Sequence, residues 1–492
     1  MKTIKRALIS VYHKEKLDVV ACALHELEVE IYSTGGSWDY ISGLDIPVKA
    51  VDRLTGYPAI LGGRVKTLHP KVFGGILARR DHPADLNELA DYDIPLFDLV
   101  VVDLYPFEET AASGAPEQEV IEKIDIGGIS LIRAAAKNHK DVLVVSTKDQ
   151  YPALLEILTQ KKGLSTLDER KRFAAEAFKT TSHYDIAILN HFNGTRQLRY
   201  GENPHQRGRY LGLSGSLPKQ LHGKELSYNN LLDVEAAVEL IHDFEEPTIA
   251  IIKHNNACGC ASDSDLLQAW NKAYAADPLS AFGGVIVANR PIDAHTAEAI
   301  DTLFFEVLMA TDFSKEALNI LCTKKNRILL AFSYTELPKE KYRSLLHGML
   351  IQDRDMAMEG IENFHFCTLR QPQSEQIEDL IFANKLVKHS KSNAIVLVKD
   401  KMLLASGVGQ TSRIDALKQA IAKAGQFGFS LSGAVMASDA FFPFPDCVET
   451  AHLAGITAII QPGGSVRDQE SVDYCNAHHI AMVCTGIRHF KH

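Results

Sequence analysis

No Cys-x-x-Cys pair occurs in this chain, although it carries eight cysteines. That removes the usual zinc ribbons and thioredoxin-like motifs and points to a reduced, cytoplasmic setting. His13-Lys14-Glu15 has the first half of a zinc-deaminase signature, but the Pro-Cys-x-x-Cys half is missing. No metal is expected. A Walker P-loop and a Gly-x-Ser-x-Gly elbow are absent too. No apolar run approaches the ~18 residues of a membrane span, and the run after Arg6 is too short for a signal peptide, so no membrane partner is expected. Basic residues are outnumbered, 52 to 62, for a formal net charge of -10. That balance argues against a nucleic-acid partner. It leaves anionic small molecules open, because a few cations in one cleft suffice to bind a phosphate.

What is present describes a globular protein: 492 residues, 46% apolar and 23% charged. The length calls for two or three domains. In the first half, short apolar strands (Ala7 to Val11, Val29 to Tyr32, Asp98 to Leu104, Val142 to Val145) alternate with helical stretches such as Lys16 to Leu27. This rhythm predicts an α/β domain on a parallel sheet, whose ligands bind at the carboxyl ends of the strands. A long helix over Asp168 to Phe192 stops near Asn193-Gly194, which sets domains of 1–195 and 196–492. The second half is again mixed, with strands at Thr248 to Ile252, Val285 to Ala288, Ala394 to Val398, Ala434 to Ala437 and Thr457 to Ile460. No short-period repeat is visible.

Ser33-Thr34-Gly35-Gly36 follows a strand and opens a helix, where hydroxyls and free amides suit a phosphate. In Gly62-Gly63-Arg64-Val65-Lys66-Thr67-Leu68-His69, Arg64 and Lys66 alternate and, on extended backbone, share a face. Asp125 precedes a Gly-Gly turn and a helix bearing Arg133 and Lys137 four residues apart. These either make surface ion pairs or join Asp125 in an acid/base site.

In the second half, Arg199 in Arg199-Tyr200-Gly201-Glu202-Asn203-Pro204-His205-Gln206 is a candidate phosphate clamp in what otherwise reads as a linker loop. Lys253-His254-Asn255-Asn256 places a proton carrier and a cation at a strand end. Gly407-Val408-Gly409-Gln410-Thr411-Ser412-Arg413 fits an anion. Ser438-Asp439-Ala440-Phe441-Phe442-Pro443-Phe444 suits either a core segment or a stack for a flat heterocycle.

Singly these motifs are weak, but in their order, with Leu104-Tyr105-Pro106-Phe107, Leu226-Ser227-Tyr228-Asn229-Asn230, Gln461-Pro462-Gly463-Gly464-Ser465 and the final Arg488-His489-Phe490-Lys491-His492, they are specific. Over essentially its whole length the chain resembles the bifunctional AICAR transformylase/IMP cyclohydrolase family. The resemblance implies an N-terminal cyclohydrolase domain of methylglyoxal-synthase-like fold and a C-terminal transformylase domain of cytidine-deaminase-like α/β lobes without the metal. It implies 10-formyltetrahydrofolate as co-substrate and a homodimer with transformylase sites at the interface. In the cyclohydrolase it implies a nucleotide held by Ser10, Lys14, Ser33, Thr34, Gly35, Gly36, Arg64, Thr67 and Asp103. Lys137 with Asp125 would move protons there, while Lys66 and Tyr105 steady the oxygen. In the transformylase it implies Lys253 and His254 as the catalytic pair. Arg199, Tyr200, Asn393, Arg413, Arg488 and His492 would bind the nucleotide, and Ile414, Phe441 and Asp446 the folate.

The family's first turn usually reads Ser-Val-Ser-Asp-Lys; here it is Ser10-Val11-Tyr12-His13-Lys14. Asp103 replaces the usual Asn, and Ala257 the usual Pro after Lys253-His254-Asn255-Asn256. Because departures fall near both sites, a chain with one competent half is the alternative to a two-activity enzyme.

Overall fold

The computed structural model describes residues 1–193, 196–212, 215–333, 337–346 and 348–492. They form two compact units, Met1–Thr195 and Arg196–His492. Among them, no helix is long and apolar enough to cross a membrane.

The first unit is built on five parallel strands in the order Val48–Ala50, Glu30–Ser33, Arg6–Ser10, Leu99–Val102, Leu143–Val145. Leu99–Val102 and Leu143–Val145 are buried throughout, as strands covered on both faces must be. Helix Leu17–Glu26 turns Leu17, Val20, Ala21 and Leu24 to the core, an i, i+3, i+4, i+7 stripe. The chain first winds outward from Arg6–Ser10 to Val48–Ala50. It then returns to lay Leu99–Val102 against the other side of Arg6–Ser10. The switch of direction opens a crevice above the carboxyl ends of those two neighbours, beyond Ser10 and Val102.

The long helix Leu167–Asn193 packs along Gly127–Lys137, with the Arg133 guanidinium 5.6 Å from the centre of the Phe178 ring. Arg133 is therefore a packing residue on the outer side of that helix.

The second unit, among the described residues, rests on a single twelve-stranded sheet that repeats one pattern twice. Each repeat has an edge strand, a 15-residue helix, a tight antiparallel hairpin and three parallel strands separated by helices. In the first repeat these are Lys219–His222, helix Tyr228–His242, hairpin Thr248–Lys253/Asn256–Ser262, and strands Val285–Ala288, Val307–Ala310 and Ile328–Ala331. In the second they are His365–Phe366, helix Ser374–Lys388, hairpin Ile395–Lys399/Met402–Gly407, and strands Val435–Ser438, Ala458–Gln461 and Ala481–Cys484. The hairpins meet at the centre of the sheet through Ala261 and Met402. The antiparallel pairings put the first hairpin's turn at the same end of the sheet as the carboxyl ends of the second repeat's parallel strands. Between the repeats, the hairpin Glu340–Leu345/Gly348–Asp353 exposes Tyr342, Leu345, Met349, Leu350 and Ile351.

Candidate active sites

In the first unit the crevice gathers most of the residues named from the sequence. Ser10 and Thr34 face each other across the two strand ends, their hydroxyl oxygens 3.1 Å apart. Gly35 has φ 45° and opens the helix Gly35–Ser42, with Gly36 in its first turn. A Cβ on Gly35 would come within 3.8 Å of Lys66 Nζ, so the ammonium stands over this turn. Thr67 is buried with its hydroxyl against Gly127, at the start of the helix Gly127–Lys137. Lys14 turns its ammonium onto the carbonyls of Val11 and Tyr12, and burial holds its pKa below the ordinary lysine value.

Asp125 is buried at the base. It accepts from Gly128 N at 2.6 Å, and its own amide donates to Tyr184 Oη at 2.9 Å. Burial pushes its pKa up, and Asp103 adds to this. The amides of Gly128 and Tyr105 and the charge of Lys66 pull the other way. Tyr105 is likewise raised by burial and by Asp125, and its ring meets Tyr12 edge-on, 5.6 Å between centroids. Asp103 accepts from the amides of Tyr12 and His13, and faces His13 Nδ1 at 3.0 Å. A carboxylate, a buried acid of raised pKa, a phenol and an ammonium thus share one crevice with a helix start.

Three expectations change. Ser33 is fully buried and its hydroxyl donates to Ile9 O at 2.8 Å, so it fastens two strands and is not open to a phosphate. Arg64 does not share an extended face with Lys66. Residues 61–63 form a 3₁₀ turn with Gly62 at φ 65°, which turns Arg64 outward to pair with Glu122 at the surface. Lys137 does not join Asp125. It is exposed in the last turn of the helix that Asp125 precedes, about 15 Å away along the axis at ~1.5 Å per residue. Tyr184 was not foreseen, since a tyrosine on a long amphipathic helix carries no signal of the loop it will support.

In the second unit, Lys253 and His254 stand at the first hairpin's turn. Lys253 Nζ donates to Phe282 O at 2.7 Å; the His254 side chain is exposed. Asn256 Nδ2 donates to His254 O at 3.0 Å, and Asn256 Oδ1 accepts from Lys391 N at 3.0 Å. The turn is therefore tied to the segment entering the second hairpin.

Beside it, Arg413 is largely buried and committed to neighbours. Its Nη1 donates to Phe441 O at 3.0 Å, and its Nη2 to Asn393 Oδ1 and Asp439 Oδ1, both at 2.9 Å. These bonds leave Arg413 framing the site, and Phe441 is half-buried on that frame. Ile414 packs partly into the core of the second repeat, and Asp446 starts a helix and caps Cys447 N at 2.8 Å.

The chain's end closes in here. His489 N donates to Asp439 O, and Ser392 N and Lys491 O pair at 2.9 Å. Arg488 is exposed with its guanidinium 4.4 Å from the Phe490 ring centre, and the His492 carbonyl accepts from Arg343. Arg199 stacks 4.8 Å over Tyr200 on a loop whose Glu202 carbonyl accepts from Asn229 Nδ2.

A doubly wound α/β unit with an anion-ready crevice, followed by a duplicated α/β unit with a Lys-His turn at the strand ends, defines a two-site enzyme acting on anionic substrates. Comparison with known proteins makes this specific. Residues 16–130 match the family model described as MGS-like domain, and residues 135–423 that described as AICARFT/IMPCHase bienzyme. Across 100% of this chain and 99% of its own length, the bifunctional purine biosynthesis protein PurH of Bacteroides thetaiotaomicron is 59% identical. The proteins of the same name from Acetivibrio thermocellus and Aquifex aeolicus are each 46% identical over 99% of this chain and 100% of their own. The chain belongs to the AICARFT/IMPCHase bienzyme family.

Proposed function

We propose that the two units divide the family's two reactions, the second transferring the formyl group and the first closing the ring. The chain is a bifunctional enzyme of purine biosynthesis. It transfers formyl from 10-formyltetrahydrofolate to AICAR, then cyclises formyl-AICAR to IMP with loss of water. The relatives match it end to end under a bifunctional name, and nothing favours the reading with one competent half.

In the transfer, the weakly nucleophilic 5-amino group attacks the formyl carbon of the folate. The new C–N bond forms, the amine loses a proton, and tetrahydrofolate nitrogen leaves with one. His254, exposed at its turn, takes the proton, and Lys253 steadies the tetrahedral oxyanion. Arg199, Tyr200, Asn393, Arg488 and His492 hold the nucleotide, and Phe441, Ile414 and Asp446 the folate, with Arg413 framing both.

In the cyclisation, the carboxamide nitrogen attacks the formyl carbon, and the former formyl oxygen takes up protons and departs as water. Asp125, kept protonated more readily by burial, exchanges those protons, and Lys66 and Tyr105 steady the oxygen. Ser10, Thr34, Gly35, Gly36, Thr67 and Lys14 form the cradle for the nucleotide phosphate.

The observation that carries the division is that each unit has its own cluster of charged and polar side chains at strand ends, one around Asp125 and one around His254. Incubation with AICAR and 10-formyltetrahydrofolate should yield IMP. An Asp125→Asn variant should accumulate formyl-AICAR, and a His254→Ala variant should make none while still closing supplied formyl-AICAR. Loss of both reactions in both variants would defeat the division.

A homodimer is supported by the exposed apolar hairpin at 340–353, because two strands with Leu345, Leu350 and Ile351 open to water are marginal alone and favour a partner surface. Ile351→Asp should shift the sedimenting species toward monomer. A cytoplasmic setting is supported by eight free cysteines.

A further inference from the structure

The duplication in the second unit isolates a residue that the motifs passed over. The first repeat's hairpin closes with Lys253 opposite Asn256, so its loop is His254–Asn255, with φ of 51° and 65°. The second repeat's hairpin closes with Lys399 opposite Met402, so its loop is Asp400–Lys401, with φ of 54° and 52°. Both strand pairs shift register just before the turn, at Ile251/Ile252 and at Leu397/Val398. Two successive left-handed residues suit a two-residue hairpin, but L side chains resist that backbone and neither loop contains glycine. Something outside the loop has to hold it.

In both repeats the holder is an aspartate at the sixth position of the preceding helix. Asp233 of Tyr228–His242 accepts from Asn255 N at 2.7 Å. Asp379 of Ser374–Lys388 accepts from Lys401 N at 2.7 Å and from Asp400 N at 3.0 Å. With its carboxamide turned to satisfy both ends, Asn255 also donates from its side chain to Asp233 Oδ1 at 3.2 Å and to Leu232 O at 3.0 Å. The same device therefore occurs twice, at opposite ends of the sheet. Only the first copy carries a lysine followed by a histidine, on a turn that Asn256 ties to Lys391, two residues before the Arg413 partner Asn393.

We propose that Asp233 is a positioning residue for formyl transfer, fixing the left-handed His254–Asn255 backbone and so the direction from which the imidazole reaches the amine. This rests on the reading above that His254 takes the proton. The carboxylate also faces the charges of Lys253 and His254, which lie on the turn it holds. Asn229, four residues before Asp233 on the same helix face, holds the Arg199–Glu202 loop, which brings the nucleotide-binding loop onto the same support.

The test uses the full-length protein and exploits the second copy as an internal control. Asp233→Ala should lower kcat for formyl transfer by at least about tenfold, leave the KM for AICAR within about threefold, and leave closure of supplied formyl-AICAR unchanged. Asp233→Asn keeps an oxygen for Asn255 N and should restore most of the loss. Asp379→Ala removes the same anchor from the other turn. It should lose as much Tm as Asp233→Ala yet keep formyl transfer. Transfer within about twofold of the parent in Asp233→Ala, or an equal loss in Asp379→Ala, overturns the proposal. Should Asp233→Ala not fold, Asp233→Asn and Asp233→Ser decide. The shorter serine cannot reach the amide, so equal transfer in the two is the contrary result. His254→Ala separates the two layers of inference. If it still transfers formyl, the reading of the site fails, while a shared Tm loss in Asp233→Ala and Asp379→Ala still reports the anchor.

Discussion

Asp125 and Lys137 stand at opposite ends of one helix: the carboxylate caps Gly128 N at its start, and the ammonium leaves from its last turn. The helix between them is ~15 Å long, more than twice what a lysine side chain spans. A helix face had suggested Arg133 and Lys137 as partners in one site. The structure gives Arg133 to Phe178 and leaves Lys137 at the surface. Asp125→Asn should therefore slow ring closure by about 10²–10⁴-fold, the usual weight of a general acid or base. Lys137→Ala should stay within about threefold. Single-turnover closure of formyl-AICAR measures both, and comparable losses would return Lys137 to the chemistry.

Gly128 offers a second route to the same carboxylate. A Cβ there would lie 2.4 Å from Asp125 Oδ2, closer than atoms allow, although the residue sits in ordinary helix where alanine is preferred by about 1 kcal/mol. Gly128→Ala should thus drive Asp125 off its position, the lost bond to Gly128 N offsetting the gain in helix propensity, and cut closure by at least about tenfold. Formyl transfer should not change. A variant with normal closure would show that Asp125 has room to work from elsewhere.

These two cases show where the sequence was readable. Apolar runs such as Leu99–Val102 declare a covered parallel sheet, and the turn after each strand then lands at the crevice by topology alone. Periodicity reports which side of a helix a residue faces but not how far along it lies, so Lys137 seemed close to Asp125. Alternation reports a shared face only on extended backbone, and Gly62 at φ 65° removed that condition for Arg64. The duplication stayed hidden because it is preserved in topology and in single aspartates, Asp233 and Asp379, while the surrounding residues differ.

His13 in the first turn and Asp103 before Leu104-Tyr105-Pro106-Phe107, two departures from the usual family residues, are one unit in space. Asp103 holds the amides of Tyr12 and His13 and faces the His13 ring at 3.0 Å, so the carboxylate is met by donors within that turn. Asp103→Asn and His13→Asp should each weaken nucleotide binding or stability. The double variant, which restores the common pairing, should be less harmful than the sum, with a coupling of about 0.5–3 kcal/mol. Isothermal titration with IMP across the four proteins measures it, and strict additivity would mean that the two changes are unrelated.

His489 gives the second unit a pH dependence of its own. The ring is 2% exposed, with Nδ1 at 2.6 Å from Asp355 Oδ2 and Nε2 at 3.1 Å from Glu359 Oε2. Burial opposes its charge, but the hydrogen bonds and charges of Asp355 and Glu359 outweigh it and push the pKa from 6.5 up to about 9. Lys388 acts on Asp355 from the neighbouring helix, and Asn384 donates to Glu359. A raised pKa means that the folded state binds the proton more tightly. The stabilisation, on the order of 3 kcal/mol, is therefore complete below pH 6.5 and is lost as pH rises through 9. His489 sits between Arg488 and His492, so the same titration loosens the tail that we propose holds the nucleotide. The parent should lose Tm between about pH 6.5 and 9.5, with KM for AICAR rising over the same window. His489→Gln should start lower and stay flat. Thermal unfolding of both proteins across that window measures the difference, and parallel curves would place the titrating group elsewhere.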